Sequence, residues 1–249
     1  GLWPSVTTAA VDSTRFVLMH TSHPGNVGAA ARAMKVMGFT DLVLVQPRFA
    51  DVLSHEDAVA MASGAADILT RARIVATLPE ALDGISFACA TAMTPRDFGP
   101  PTFAPRERFA SLAHEAQRVA LVFGSERYGM ANEDVWRCHA CLSIPTPANY
   151  GSLNLAQAVQ LIAYDWRQAL GGFTVAERTA TPERATLPEV LGALDHWQHV
   201  LVEIGFLDPQ SPKRLMPRLQ QLLNRAQLTR EEVHILRGIA RAVSRHDPT

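Results

Sequence analysis

Cysteine is scarce in this 249-residue sequence and occurs only at Cys89, Cys138 and Cys141. An odd, small number argues against a disulfide framework and is typical of a reducing compartment, so we expect a cytoplasmic protein. Cys138 and Cys141 form a C-x-x-C pair, but it follows a predicted helix and precedes a strand, the reverse of the order in redox motifs. A zinc site would need two more ligands at useful spacing, and the histidines are scattered. We therefore expect no metal.

Long hydrophobic runs and low-complexity tracts are also absent from the sequence, and the net charge is close to zero. No apolar run approaches the roughly 20 residues of a membrane-spanning helix, and no stretch reads as a signal peptide, so no membrane partner is expected. The formal net charge of −1 does not favour nucleic-acid binding. From position 211 onward, however, eight basic residues stand against three acidic ones. That excess suits either an RNA contact or a solvated helical surface.

What is present is 47% hydrophobic residues, ample for a folded core, in a regular alternation of strands and helices. Strands are predicted at 15–19, 41–45, 87–91, 119–123 and 141–144, and helices at 27–38, 106–116 and 132–138. The strands are apolar on both faces, as in a sheet that helices cover on both sides. The pattern predicts an α/β fold with a parallel sheet and right-handed crossovers.

The last third of the chain is helical. An apolar stripe at helical spacing joins Leu155, Val159, Ile162 and Trp166, and a second runs through Val190, Leu194, Trp197, Leu201 and Ile204. Two more helices are predicted in KRLMPRLQQLLNRA and REEVHILRGIARAV, with Pro217 near the start of its helix or kinking it. Glycine, proline and threonine between the stripes indicate a linker. We predict an α/β domain over 1–170, a linker over 171–187 and a helical extension over 188–249.

Three loops that follow strands combine glycine with polar side chains. They lie in HPGNVGAAAR (23–32), FGSERYGM (123–130) and ANYGSLN (148–154). None matches G-x-G-x-x-G or a Walker A loop, which argues against a dehydrogenase. Taken singly, they could be turn glycines, solvated charges and a helix cap. Taken together at the carboxyl ends of parallel strands, they favour one ligand site.

The segments PGNVGAAARAMKVMGF, LVFGSERYGM and IPTPANYGSLNLAQAV resemble, in this order, the three signature motifs of the SpoU branch of the SPOUT RNA 2′-O-methyltransferases. The resemblance covers about 15–170. It implies a SPOUT fold, a parallel sheet flanked by helices with a trefoil knot from about Leu121 to Gln157. It also implies S-adenosylmethionine as methyl donor and a homodimer whose active site is completed across the interface.

The helical tail resembles the C-terminal extension of a subfamily that methylates tRNA at position 32 of the anticodon loop. The resemblance therefore implies 2′-O-ribose methylation of a tRNA cytidine or uridine. A related methyltransferase of ribosomal RNA, or a non-catalytic RNA-binding relative, is the alternative. The apolar face of the helix that starts at Leu155 could be the dimer face or part of the core.

The same resemblance implies site residues by their motif positions. Cofactor contacts are expected from Thr91, Ala92, Met93, Gly124, Ile144, Gly151, Ser152 and Leu153. Catalytic roles are expected for Asn26, Arg32, Glu126, Ser152 and Asn154. The chain departs from the usual motifs at Ser125, where a basic residue is common, and at Gly151, where a serine is common. Neither change removes a catalytic group, although fine substrate preference, with a part for Tyr150, stays open.

Within that set, Arg32 is an awkward general base because free arginine has a pKa above about 12. We expect it to bind the adjacent phosphate and steady the developing alkoxide, with a proton relay through that phosphate as an open alternative. Glu126 is expected to orient Arg32 or the loop, and Asn26 to hold the first loop. Asn154 and Ser152 are expected to fix the third loop and the ribose.

Overall fold

The chain divides between Thr174 and Val175 into two units, here called the sheet unit and the helical unit. A computed structural model describes residues 12–92, 98–176 and 179–246. Within these residues, no helix is both long and apolar enough to cross a membrane.

The sheet unit contains a parallel sheet of seven described strands, which confirms the predicted α/β class. The strands are β1 (Arg15–Met19), β2 (Asp41–Val45), β3 (Arg73–Val75), β4 (Phe87–Thr91), β5 (Thr102–Phe103), β6 (Val119–Phe123) and β7 (Ala140–Leu142). Their spatial order is β3-β2-β1-β6-β4-β7-β5, and every neighbouring pair is parallel. The carboxyl ends of β6, β4 and β7 therefore lie side by side at one edge of the sheet.

Helices connect these strands. They are α1 (Pro24–Val36), α2 (Glu56–Ala62), α3 (Ala66–Arg71), α4 (Leu78–Ala81), α5 (Pro105–Leu112), α6 (Asn132–Trp136) and α7 (Leu155–Ala169). Helix α1 starts at Pro24, before the predicted Val27, because proline suits the first helical turn, where its missing N–H costs nothing. Gly38 follows α1 with φ of 82°, the left-handed conformation that ends many helices. Helix α5 ends at Leu112, its last buried residue, and not at 116.

Alternate residues of the strands enter two separate cores. In β1, Phe16 and Leu18 belong to one buried cluster, while Val17 and Met19 belong to the other. The period of two places successive side chains on opposite faces, so both faces of the sheet are covered. In the first cluster the ring of Phe16 lies 5.2 Å from that of Phe39, between centroids.

Helix α7 contributes its apolar stripe to the core of the sheet unit. Leu155, Val159, Ile162 and Trp166 are each at most 6% exposed. Trp166 Nε1 also donates a 2.8 Å hydrogen bond to Thr14 Oγ1. Of the two alternatives for this stripe, the structure therefore supports the core, because these side chains are already covered within the chain.

The helical unit consists of α8 (Leu187–Glu203), α9 (Leu215–Ala226) and α10 (Arg230–Arg245). Thr186 and Thr229 cap the starts of α8 and α10. Val190 and Leu194 are buried, but Ile204 lies just past the end of α8 and is 48% exposed, so the predicted stripe stops at Leu201. Pro217 is the third residue of α9, where the backbone N–H has no partner within the helix.

Candidate active site

A cavity of about 300 Å³ opens at the carboxyl edge of β6, β4 and β7. Ligands of open parallel sheets bind at this edge, beyond the strand ends. The cavity combines backbone from glycine-bearing loops with apolar side chains. It is lined by Thr91, Ala92, Phe123, Gly124, Ser125, Glu126, Tyr128, Gly129, Met130, Leu142, Ile144, Gly151, Leu153, Leu155 and Ala158.

The cavity brings together most of the residues predicted to contact a cofactor. Six line it: Thr91, Ala92, Gly124, Ile144, Gly151 and Leu153. Ser152 is exposed and does not line it. Met93 lies outside the described residues. Their role as cofactor contacts stays a prediction, but segments far apart in sequence do meet at one place.

Short backbone contacts build the walls of this cavity. Thr91 Oγ1 donates to the carbonyl of Val122, and the Ala92 N–H donates to the carbonyl of Leu142, so the ends of β4, β6 and β7 are joined. A Cβ atom on Gly124 would lie 2.4 Å from the carbonyl carbon of Gly129. Only glycine fits there, because the second loop closes on itself through two backbone hydrogen bonds between Ser125 and Gly129.

Glu126 connects the second loop to the first. Its Oε2 accepts hydrogen bonds of 3.2 Å from both the backbone N–H and the Oγ of Ser22, and its Oε1 accepts one of 3.2 Å from Asn26 Nδ2. Of the two partners expected for Glu126, the structure gives it the loop and not Arg32. Asn26, which was expected to hold the first loop, donates to this carboxylate of the second loop.

Arg32 lies away from the cavity of its own chain. Arg32 does not line the cavity, and six residues of helix α1 place it roughly 9 Å further along the axis than Asn26. Its side chain is exposed and makes no hydrogen bond or ion pair within 12–92, 98–176 and 179–246. Among the residues that the structure describes, Arg32 is therefore an exposed cation without a partner.

Two residues just before α7, Asn154 and Ser152, have roles that the sequence left open. Asn154 caps the helix, since its Oδ1 accepts a 2.8 Å hydrogen bond from the Gln157 N–H and the Gln157 side chain accepts from the Asn154 N–H. Ser152 makes no side-chain hydrogen bond in the part of the chain that is described. Asn154 thus fixes the third loop through the helix start, whereas Ser152 is left available.

Gly28 has a packing role. A Cβ atom there would lie 2.0 Å from the carbonyl oxygen of Ala58, so α1 and α2 can cross only because position 28 is glycine. The group that the backbone approaches at this glycine is therefore another helix.

The cysteines are buried. Burial raises the pKa of the Cys89 and Cys138 thiols to about 12, with neighbouring sulfur atoms adding to the effect. A thiol with so high a pKa is a poor nucleophile and a poor metal ligand. Among the described residues, no group of three or more histidine, cysteine or acidic side chains could hold a metal ion.

Two polar residues of the site, Ser22 and Tyr128, received no role from the sequence. Ser22 holds the carboxylate of Glu126, and Tyr128 lines the cavity although its side chain is 78% exposed. The signal for Tyr128 was present, because an aromatic residue inside a glycine-bounded polar loop has no core to enter. No comparable signal marked Ser22, whose role depends on a residue 104 positions away.

Comparisons with known proteins agree with this geometry. Residues 13–164 match the SpoU rRNA Methylase family, and residues 188–248 match the tRNA methyltransferase TrmJ C-terminal domain. The chain is 44% identical to the tRNA (cytidine/uridine/adenosine-2′-O-)-methyltransferase TrmJ of Pseudomonas aeruginosa, over 92% of this chain and 93% of that protein. It is 39% identical to the tRNA (cytidine/uridine-2′-O-)-methyltransferase TrmJ of Klebsiella pneumoniae, over 95% and 98%.

Two solved structures extend the likeness to the fold. TrmJ from Z. mobilis ZM4 superimposes with a TM-score of 0.76 at 28% identity, and the match covers 93% of this chain and 99% of that chain. A probable methylase family protein from Haemophilus influenzae superimposes with a TM-score of 0.60 at 35% identity, over 94% and 97%. With both units matched and the second and third motif loops lining one cavity, the chain belongs to the SpoU methylase family and, within it, to the TrmJ proteins.

Proposed function

We propose that this protein transfers a methyl group from S-adenosylmethionine to a ribose 2′-oxygen of tRNA, at position 32 of the anticodon loop. The observation that carries the proposal is the convergence of Thr91, Gly124 and Leu153, from three distant segments of the chain, on one cavity. Support for tRNA over ribosomal RNA comes from the helical unit, which matches the TrmJ C-terminal domain. The names of the 39–44% identical relatives support 2′-O chemistry on cytidine and uridine.

The cavity fits the proposed donor in size and character. Its volume of about 300 Å³ lies at the small end of the range for ligand sites. Leu142, Ile144 and Leu153 offer apolar contact for an adenine ring, and the loop backbones offer hydrogen bonds. Glu126 brings a negative charge to the rim, which complements the positive sulfonium of the donor.

The donor supplies a methyl group that is already activated by its positive sulfur, so the protein mainly positions the reactants. Thr91, Gly124 and Leu153 would hold the donor, while Glu126 keeps the first and second loops together through Ser22 and Asn26. Ser152 is exposed beside the lining residues and would contact the ribose. In the transfer, the 2′-oxygen would gain the methyl carbon, the donor would leave as S-adenosylhomocysteine, and the hydroxyl proton would pass to the adjacent phosphate or to solvent.

Arg32 would act in a homodimer, at the cavity of the partner chain. Its exposed guanidinium has no partner among the described residues, and it lies further along α1 than Asn26; both observations support a role outside its own cavity. There it would bind the phosphate next to the target ribose and stabilise the alkoxide that develops on the 2′-oxygen. The trefoil knot over about Leu121 to Gln157 belongs to the same proposal.

Transfer of labelled methyl from S-adenosylmethionine to unmodified tRNA tests this function. We expect label at the 2′-oxygen of position 32, mapped by nuclease digestion and mass spectrometry. Arg32→Ala is expected to lower kcat by at least about 100-fold, as loss of an oxyanion-stabilising group does. The matched control is Arg71→Ala, another exposed arginine without a partner in the described structure. Absence of label in tRNA, or equal losses in both variants, would contradict the proposal.

A pair of glycine variants tests the cavity itself. Gly124→Ala places a Cβ atom 2.4 Å from the Gly129 backbone, so the second loop must shift and binding of S-adenosylhomocysteine should fall by at least about 10-fold. A Cβ atom on Gly64 meets nothing within 4 Å, so Gly64→Ala should bind like the wild type. Isothermal titration of both variants makes the comparison. If Gly124→Ala binds S-adenosylhomocysteine as tightly as the wild type, the donor site lies elsewhere.

A further inference from the structure

Two exposed arginine–aromatic pairs lie at the carboxyl edge of the sheet. In the loop after β6, the guanidinium of Arg127 is 5.5 Å from the ring centroid of Tyr128. In the loop after β2, the guanidinium of Arg48 is 5.3 Å from the ring centroid of Phe49. The tyrosine is 78% exposed and the phenylalanine 44%. Both rings therefore present a face or an edge to solvent instead of entering the core.

The guanidinium groups of these pairs are not neutralised. Within the described ranges, neither Arg48 nor Arg127 forms an ion pair or a side-chain hydrogen bond. Several other arginines of the sheet unit are engaged: for example, Arg15 binds Asp41 and Arg108 binds Glu115. An unpaired guanidinium beside an exposed ring combines a phosphate donor with a stacking surface, the two contacts by which proteins hold single-stranded RNA.

Hydrogen bonds hold the two pairs on one continuous rim. The Arg48 N–H donates to the carbonyl of Thr21 at 2.9 Å, and the next residue, Ser22, donates to Glu126, which precedes Arg127. Strands β2, β1 and β6 are neighbours, so the ends of β2 and β6 lie on the order of 10 Å apart. A few nucleotides of single-stranded RNA cover that distance.

The backbone of this rim carries strain where the loops begin. His20 and Gln46, directly after β1 and β2, have φ of 51° and 42°, in the left-handed region that non-glycine residues seldom adopt. Each is held by its N–H, which donates to the carbonyl of Val45 or Val75 on the neighbouring strand. Strain that the surrounding structure maintains is concentrated at functional sites.

We propose that this rim holds the nucleotides next to the methylated one. Tyr128, which lines the cavity, stacks on a base beside the reacting ribose, and Phe49 stacks on a base further along the strand. Arg127 and Arg48 bind the intervening phosphates. The inference rests on the proposed function and names the part of the sheet unit that receives the unpaired loop of the tRNA.

Affinity for unmodified tRNA in the presence of S-adenosylhomocysteine, measured by fluorescence anisotropy, tests this rim. Phe49→Leu and Tyr128→Leu keep apolar bulk but remove the ring, and each should weaken binding by about 5- to 100-fold, the effect of losing one stacked base. Arg48→Gln and Arg127→Gln should each lower the slope of log affinity against log salt by about 1. Arg71→Gln is the control, because Arg71 ends α3 just before β3 and so lies at the opposite edge of the sheet.

The proposal is overturned if Phe49→Leu and Tyr128→Leu both bind tRNA with the affinity of the wild type. A fall in sedimentation mass of either variant would also overturn it, because the ring would then belong to a subunit contact. Failure of the proposed function gives a different result, since the wild-type enzyme would then transfer no methyl group to tRNA. Both rings are substantially exposed, so neither variant threatens the core.

Discussion

The sheet unit and the helical unit differ in how much apolar surface each buries for itself. The sheet unit has a buried cluster on each face, with four phenylalanines that are at most 1% exposed: Phe16, Phe39, Phe109 and Phe123. The helical unit has one cluster of five buried residues, and no residue of α9 is buried. An apolar cavity of about 360 Å³ lies among its leucines. A thick core fixes an active site, whereas a unit with so thin a core is only marginally stable.

The largest effect that this comparison predicts is at Phe16. Its ring is fully buried, 5.2 Å from that of Phe39 and 6.1 Å from that of Phe123, between centroids. Phe16→Ala should lower the free energy of unfolding of the sheet unit by about 3–5 kcal/mol, through lost burial and the cavity that remains. Urea unfolding followed by circular dichroism measures the loss. A cost below about 1 kcal/mol would show that this core is looser than its burial indicates.

A smaller effect is expected at Leu194 in the helical unit. The side chain is 6% exposed and belongs to the cluster of five. Leu194→Ala should cost about 2–3 kcal/mol in the unfolding of the helical unit alone. Because the lining residues of the candidate active-site cavity all belong to the sheet unit, the affinity of this variant for S-adenosylhomocysteine should match that of the wild type. Loss of that affinity would mean that the two units unfold together.

The smallest effect, and the sharpest separation of the two units, comes from thiol labelling. All three cysteines lie in the sheet unit and are buried, so a thiol reagent at pH 8 reports on the opening of that unit only. Labelling should be faster in Phe16→Ala and unchanged in Leu194→Ala. Equal acceleration in both variants would remove the distinction between the units.

Alkaline pH gives a related check on the same thiols. Burial raises the pKa of Cys89 and Cys138 from 9.0 to about 12, so the unfolded chain loses these protons first as pH rises. The contribution of each thiol to stability is therefore complete below pH 9 and decreases between pH 9 and 12. Cys89→Ala should flatten this part of the stability profile.

The sequence predicted the elements whose patterns are long and regular. Five of the strands, the main helices and the three motif loops were all visible, because apolar runs bounded by glycine and polar residues mark strand ends. Strands β3 and β5 were not predicted. They are edge strands of three and two residues, and Ile74 in β3 is 43% exposed, so pairing with one neighbour defines them rather than burial. Helices α2 to α4 were missed because elements of four to seven residues depend on tertiary packing.

For the site, sequence reasoning identified the loops better than the contacts between them. The lining residues at 91–92, 124, 144, 151 and 153 follow from motif positions at strand ends. The partner of Glu126 could not be derived, since a carboxylate in a turn can face solvent, an arginine or a backbone N–H. Asn154 was ambiguous for a similar reason, as one amide suits both a helix cap and a substrate contact. Three-dimensional proximity decides such cases, and spacing along the chain does not encode it.

Helix α7 runs from the carboxyl ends of the strands back to their amino ends. Asn154 fixes its start beside the cavity, and the hydrogen bond from Trp166 to Thr14 anchors it roughly 18 Å away, immediately before β1. Because both ends of α7 are held by hydrogen bonds, the part of this helix that lines the cavity is already ordered before a ligand binds. Arriving molecules then lose their own freedom of movement without also having to order that part of the helix, which leaves more of each contact's free energy for affinity.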